Sequence, residues 1–231
     1  MRKLGLIGGM SWVSTRTYYE RINRGVQRAS EEGHASASLL IESLDFSHLY
    51  GLREDAEWDR AAQVLSDSAQ RLEQAGAGAL MICANSMHKV YDRVAASVSI
   101  PIIHIADCVG REMQEAGATG AALFGTRNVM TESFYRQRLV AHGVDLLPPD
   151  SDAIDQIDRV IYDDLMRGKA TREAERMFKT LITRKEQDGA KAIVLACTEL
   201  ELVIDVDANV LPIFDSTRAH CNAAIEWLLE A

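Results

Sequence analysis

With 231 residues, 47% of them hydrophobic, the chain is long enough to bury the core of one large or two small domains, and its formal charge is −9. That charge tells against nucleic acid or an anionic membrane surface as partner, since both need a basic footprint. No apolar run approaches the roughly 20 residues that span a bilayer, and Met1-Arg2-Lys3 leads into a strand pattern without an apolar signal region, so a cytoplasmic protein is expected.

In chain order, residues 3–7 predict a strand and Gly8-Gly9-Met10-Ser11 a tight turn into a helix near 14–28, with Tyr18, Ile22 and Val26 on its apolar side. The glycine pair admits two readings. Backbone N–H groups at the helix start could cradle a small anionic ligand against Met10 or Ser11, or the turn could simply let the helix pack on the sheet. GxGxxG spacing and a phosphate-loop lysine are both missing, so no nucleotide is expected. A second strand covers 39–43, and the polar connection 45–57 holds Arg53, an ordinary solvated charge unless the connection folds over a ligand and the guanidinium grips a carboxylate through two parallel hydrogen bonds. A helix over 58–75 turns Ala62, Leu65, Ala69 and Leu72 inward and stops at Gly76.

Residues 77–87 then carry an apolar run that ends in Cys83-Ala84-Asn85-Ser86, and the same plan returns at 190–200, after Gly189, ending in Cys197-Thr198-Glu199. Each copy reads as a buried parallel strand that delivers a loop. The segment 100–107, read as a strand led by Pro101, is echoed at 211–217, and Leu6-Ile7-Gly8 is echoed by Leu123-Phe124-Gly125. Between these lie a short helix at 88–96, a strand at 121–124, a helix at 131–142, a strand at 144–147, a Pro148-Pro149 break, helices at 153–167 and 170–187, and a closing helix at 217–229. Matched elements recurring in one order indicate a repeated domain. The expected fold is therefore α/β: two pseudo-symmetric lobes, each a mainly parallel four-stranded sheet flanked by helices, the first from 1–104 plus 212–231 and the second from 105–211. Ligands of open α/β sheets bind beyond the carboxyl ends of the strands, so the active site is expected between the lobes.

The four cysteines, Cys83, Cys108, Cys197 and Cys221, show no CxxC pattern and read as free thiols, with Cys108 and Cys221 as helix packing. His104 and Cys108 have metal-compatible spacing but no second pair, so no metal is expected. Cys197, at a strand end before an apparent helix start, is placed to ionise; the bland alternative is a buried packing thiol.

Leu6-Ile7-Gly8-Gly9-Met10-Ser11-Trp12, Cys83-Ala84-Asn85-Ser86-Met87-His88-Lys89 and Ala196-Cys197-Thr198-Glu199-Leu200 together resemble the aspartate/glutamate racemase group, nearly end to end. The resemblance implies a cofactor-independent, PLP-independent isomerase. One group takes the proton from Cα of an acidic amino acid and another returns it to the opposite face, with Cys197 and Cys83 as the candidate acids and Met10, Arg53, Ala84, Asn85, Ser86 and Thr198 as substrate contacts. It also implies a homodimer. The family pattern at the first motif is Cys-Asn-Thr or Thr-Asn-Thr, and matching its Asn and Thr to Asn85 and Ser86 puts Ala84 in the acid-base position. The internal repeat agrees, because laying Gly76 on Gly189 lays Ala84 on Cys197. One residue along a strand reverses the side chain, so Cys83 is expected to point away from a substrate unless a bulge turns it. Two alternatives to racemisation remain: a single-cysteine decarboxylase such as the arylmalonate decarboxylases of the same superfamily, or a non-catalytic binder of acidic amino acids.

Overall fold

In the computed structural model, which describes residues 1–31 and 33–230, Leu4–Gly8 (β1) is buried along its whole length, as a strand covered on both faces must be. Gly9 turns the chain at a φ of +87°, and a Cβ there would collide with the backbone of Leu44, so only glycine fits. Its N–H donates to Thr15 Oγ1 at 2.7 Å, and Ser11 caps Trp12–Ala29 (α1) by accepting from Ser14 N–H. The Gly9 donor of this turn is thus committed to the helix it starts.

Leu39–Ser43 (β2) comes next, then Asp55–Gln74 (α2), which opens with a reciprocal Glu54–Glu57 capping box. Ala79–Ile82 (β3), Tyr91–Ala95 (α3), Ile102–Ile103 (β4) and Ile105–Glu115 (α4) complete the first half. The second half runs Gly120–Gly125 (β5), Arg127–Thr131 (α5), Ser133–Ala141 (α6), Asp145–Leu146 (β6), Ser151–Asp163 (α7), Arg172–Gln187 (α8), Ala192–Ala196 (β7), Ile213–Asp215 (β8) and Ser216–Leu229 (α9). The strands form two four-stranded sheets, ordered β2-β1-β3-β4 and β6-β5-β7-β8, and every pairing is parallel. The second order repeats the first element for element, as a duplicated domain requires.

The chain divides into one unit of Met1–Ile105 with the segment from His220, and another of Ala106–Ala219. The sequence pattern assigns 212–231 to the first lobe. That boundary moves, because Ile213–Asp215 pairs with β7 of the second unit and only the later part of α9 belongs to the first. The expected strand at 100–107 also shortens to Ile102–Ile103, since α4 starts at Ile105.

Alternation sorts the side chains of each sheet into two cores. In the first unit Ile7, Leu80, Ile82 and Ala84 join Trp58, Leu65 and Leu72 of α2. On the other face Leu6, Ala79, Met81 and Cys83 join Tyr18, Ile22 and Val26 of α1 and Cys221, Ala224 and Leu228 of α9. In the second unit Phe124, Ile193, Leu195 and Cys197 join Ile157 and Ile161 of α7 and Phe178, Leu181 and Ile182 of α8. Each fully buried large aliphatic or aromatic side chain contributes about 1.5–3 kcal/mol.

Candidate active site

At the carboxyl edge of the first sheet the turn after β1 and the loop after β3 lie side by side, tied by Cys83 N–H donating to Ile7 O at 2.9 Å. Met10 and Ala84 share one apolar cluster, and Asn85, 5% exposed, comes next in the loop. Both polar atoms of the Asn85 amide are buried with no hydrogen-bond partner among the described residues, a cost that a bound polar ligand would remove. Ser86 opens a 3₁₀ turn, Ser86–Val90, whose His88 is buried. His88 Nε2 accepts from Ile105 N–H at 3.3 Å; its Nδ1 therefore carries the proton and donates to Ala84 O at 2.9 Å. The imidazole pins the loop at Ala84. Behind it His220 accepts from Tyr18 Oη at Nδ1 and donates to Ile103 O from Nε2, both at 2.9 Å. Burial, and next the neighbouring His88, push the His220 pKa down to about 3, so it stays neutral.

Cys83 occupies the opposite face from Ala84. Its side chain is fully buried in the α1–α9 core, where burial pushes the thiol far up. Its sulfur is closed off in that core, on the face turned away from Ala84. Arg53 is exposed in the connection before α2. Its N–H donates to Glu57, and its guanidinium forms no ion pair among the described residues.

The second sheet presents the matching edge. Cys197 succeeds β7 in extended conformation, at φ −153° and ψ 127°, on the face of Ile193 and Leu195, and keeps 6% exposure where Cys83 has none. Its Sγ donates to Glu199 Oε2 at 3.2 Å, and Thr198 Oγ1 donates to the same oxygen at 2.6 Å. Both Thr198 and Glu199 are buried. Burial, then the negative charge of Glu199, hold the Cys197 thiol well above the ordinary cysteine value. The expectation that a helix start would ionise this thiol is therefore corrected. The chain continues into a short 3₁₀ turn, Thr198–Leu202, and although the Glu199 N–H does favour the thiolate, burial and the carboxylate outweigh it. On the adjacent strand Gly125 pairs with Ala196, so Thr126 ends beside Cys197; its buried hydroxyl has no hydrogen-bond partner among the described residues.

Glu199, Thr126 and His88 are the residues the sequence reading passed over in these loops. Glu199 was visible only as the residue after Cys-Thr, and Thr126 only through the echo that lays Gly125 on Gly8. Among the described residues no helix is long and apolar enough to cross a membrane, and no group of three or more His, Cys, Asp or Glu could hold a metal ion.

Two copies of one all-parallel four-stranded α/β unit, each delivering a polar loop from its third strand, define a class of duplicated two-unit α/β proteins. The chain belongs to the Asp/Glu/hydantoin racemase family, whose model matches residues 7–224, and so to the isomerases. It is similar to a proposed Asp/Glu racemase from Yersinia pestis, at 36% identity and TM-score 0.91 with all of both chains covered. It is also similar to an aspartate racemase homologue from Pyrococcus horikoshii OT3, at 30% identity and TM-score 0.84 over all of both chains. The broad specificity amino-acid racemase RacX of Bacillus subtilis is 21% identical over 98% of each chain.

Proposed function

We propose that the protein is a cofactor-independent racemase of aspartate or glutamate in which Cys197 exchanges the proton at Cα. The observation that carries this reading is the Cys197 thiol at the carboxyl end of β7, hydrogen-bonded to the buried carboxylate of Glu199. A proton donor and acceptor positioned at a reacting carbon typically contributes 10²–10⁴-fold. In this reading the orphaned hydroxyl of Thr126, in the loop beside Cys197, receives the α-carboxylate, and Thr198 adds a donor as negative charge develops on it; Asn85 and Ser86 are substrate contacts implied by the family pattern. Arg53 selects the second carboxylate, and Met10 packs against the substrate's carbon chain. Cys83 takes a packing role. The names of the solved relatives from Yersinia and Pyrococcus support an acidic substrate, while that of RacX supports testing other amino acids as well.

A second reading rests on Ala84. Racemisation needs a proton acceptor on one face of Cα and a donor on the other, and a methyl group stands where the first-copy acid or base belongs. A single thiol suffices for a decarboxylase that protonates a carbanion on one face. The deciding experiment incubates the enzyme in deuterium oxide with L-aspartate, L-glutamate and a panel of other L-amino acids, following Cα–H by NMR and the enantiomers by chiral chromatography. The racemase reading expects deuterium at Cα and growth of the D-enantiomer. No exchange with any amino acid, together with carbon dioxide release from a substituted malonate, selects the decarboxylase; calorimetric binding without either selects a binder.

A further inference from the structure

A thiol that burial and a neighbouring carboxylate hold protonated has to lose its proton before it can take one from carbon. The acceptor within reach is the one to which it already donates. We infer that Glu199 is the proton partner of Cys197, a positioning and relay residue that opens and closes the thiolate during turnover; the inference rests on the reading of Cys197 as the proton carrier.

The geometry supplies both ends of the transfer. Sγ and Oε2 are 3.2 Å apart, and the carboxylate is 4% exposed, so bulk water does not compete freely for that oxygen. Thr198 donates to the same Oε2 at 2.6 Å, which fixes the rotamer of Glu199 and aims the oxygen at the sulfur. In the step, the Sγ–H bond breaks and an Oε2–H bond forms, its electron pair staying on sulfur. The thiolate then takes the Cα proton, and the C–H pair passes into the carboxylate-stabilised carbanion. The thiol hydrogen exchanges with solvent, the S–H bond then breaks to return a proton to the carbanion at Cα, and Oε2–H gives its proton back to the sulfur, which restores the resting pair. Nothing is oxidised or reduced. Burial and the charge of Glu199 hold the proton on sulfur at rest, so the thiol stays unreactive until a substrate occupies the loop. This pairing matters more here than in a two-thiol arrangement, since Ala84 offers no second acid or base.

The test compares the parent with Glu199→Gln and Glu199→Asp in the intact protein, after circular dichroism confirms that each is folded. Two quantities are read: the pH dependence of Cys197 alkylation by iodoacetamide, located by mass spectrometry, and Cα–H exchange in deuterium oxide. Glu199→Gln removes the charge and the oxygen basic enough to take the proton, while keeping the shape. Its thiol is expected to alkylate at lower pH than the parent's, while kcat for exchange falls about tenfold or more with KM little changed; Glu199→Asp restores part of the exchange. A merely structural role would not make the sulfur more reactive and the enzyme less active at once. Unchanged alkylation, or exchange that holds or rises in Glu199→Gln, overturns the inference. If the parent exchanges no amino acid, the reading of the function has failed while the alkylation profile still decides whether Glu199 controls the Cys197 proton.

Discussion

The loops after β3 and β7 occupy equivalent places in two copies of one unit, yet each handles its cysteine differently. After β7 the thiol sits on the face of Ile193 and Leu195, next to Glu199. After β3 the thiol arrives one residue earlier, at Cys83, and is carried to the other face among Met81, Tyr18 and Cys221. Residue 84, the positional twin of Cys197, is an alanine. The supports differ too: the first loop hangs from a neutral imidazole at the Ala84 carbonyl, the second is organised around a buried carboxylate. Chemical identity alone therefore does not confer a role on a cysteine. Strand parity sets the surroundings of each: one copy holds a thiol partnered by a carboxylate, the other a sulfur packed in the core.

Measurements on both loops bear on this contrast. Cys197→Ser is expected to lower Cα–H exchange by about 100-fold or more, with the circular dichroism spectrum unchanged; residual exchange near the parent rate would remove the second loop from the chemistry. Ala84→Cys restores a thiol to the first loop on the correct face, and racemisation measured by chiral chromatography should rise by about tenfold. No gain there would mean that residue 84 does not face the substrate. A second buried imidazole behind that support, His220, makes the first unit acid-sensitive. The folded pKa of His220 lies near 3, below its ordinary value of 6.5, so the unfolded chain binds the proton more tightly. Stability is then whole above about pH 6.5 and drains as pH falls toward 3, at no more than about 1.4 kcal/mol per pH unit. In urea unfolding between pH 7 and 4, His220→Gln should lose stability less steeply than the parent. The smallest effect belongs to Cys83→Ala, which should leave exchange within about twofold and cost about 1 kcal/mol of stability through the small cavity; a collapse of exchange would return Cys83 to the reaction.

The duplication, the parallel strands and the displaced cysteine were all legible in the residues, because Gly76 and Gly189 give two fixed points from which strand parity can be counted. The segments around Pro101 and Pro212 were harder. In each, a short apolar run passes directly from strand to helix, at Ile105 and at Ser216, and so few residues carry no period that separates the two states. That ambiguity also displaced the unit boundary. In the second loop, Cys-Thr-Glu placed a thiol at a strand end but gave the wrong direction for its pKa. Whether an N–H or a carboxylate wins at that sulfur depends on the Glu199 side chain folding back through the 3₁₀ turn, and no spacing rule reports a rotamer. The orphaned groups of Asn85 and Thr126 are invisible for the same reason, since want of a partner is a property of the packed surroundings.

The first unit is discontinuous in sequence, and this sets an order of events during synthesis. Tyr18 finds its imidazole partner 202 positions later, at His220, and Cys221, Ala224 and Leu228 close the core around it. Domains fold as units while the chain emerges, but here the half translated first stays open until the last helix has left the ribosome, by which time every residue of the other half is already out. The later-coded copy is therefore the first that can mature, and a nascent chain arrested before residue 220 would expose the apolar face of α1 to chaperones.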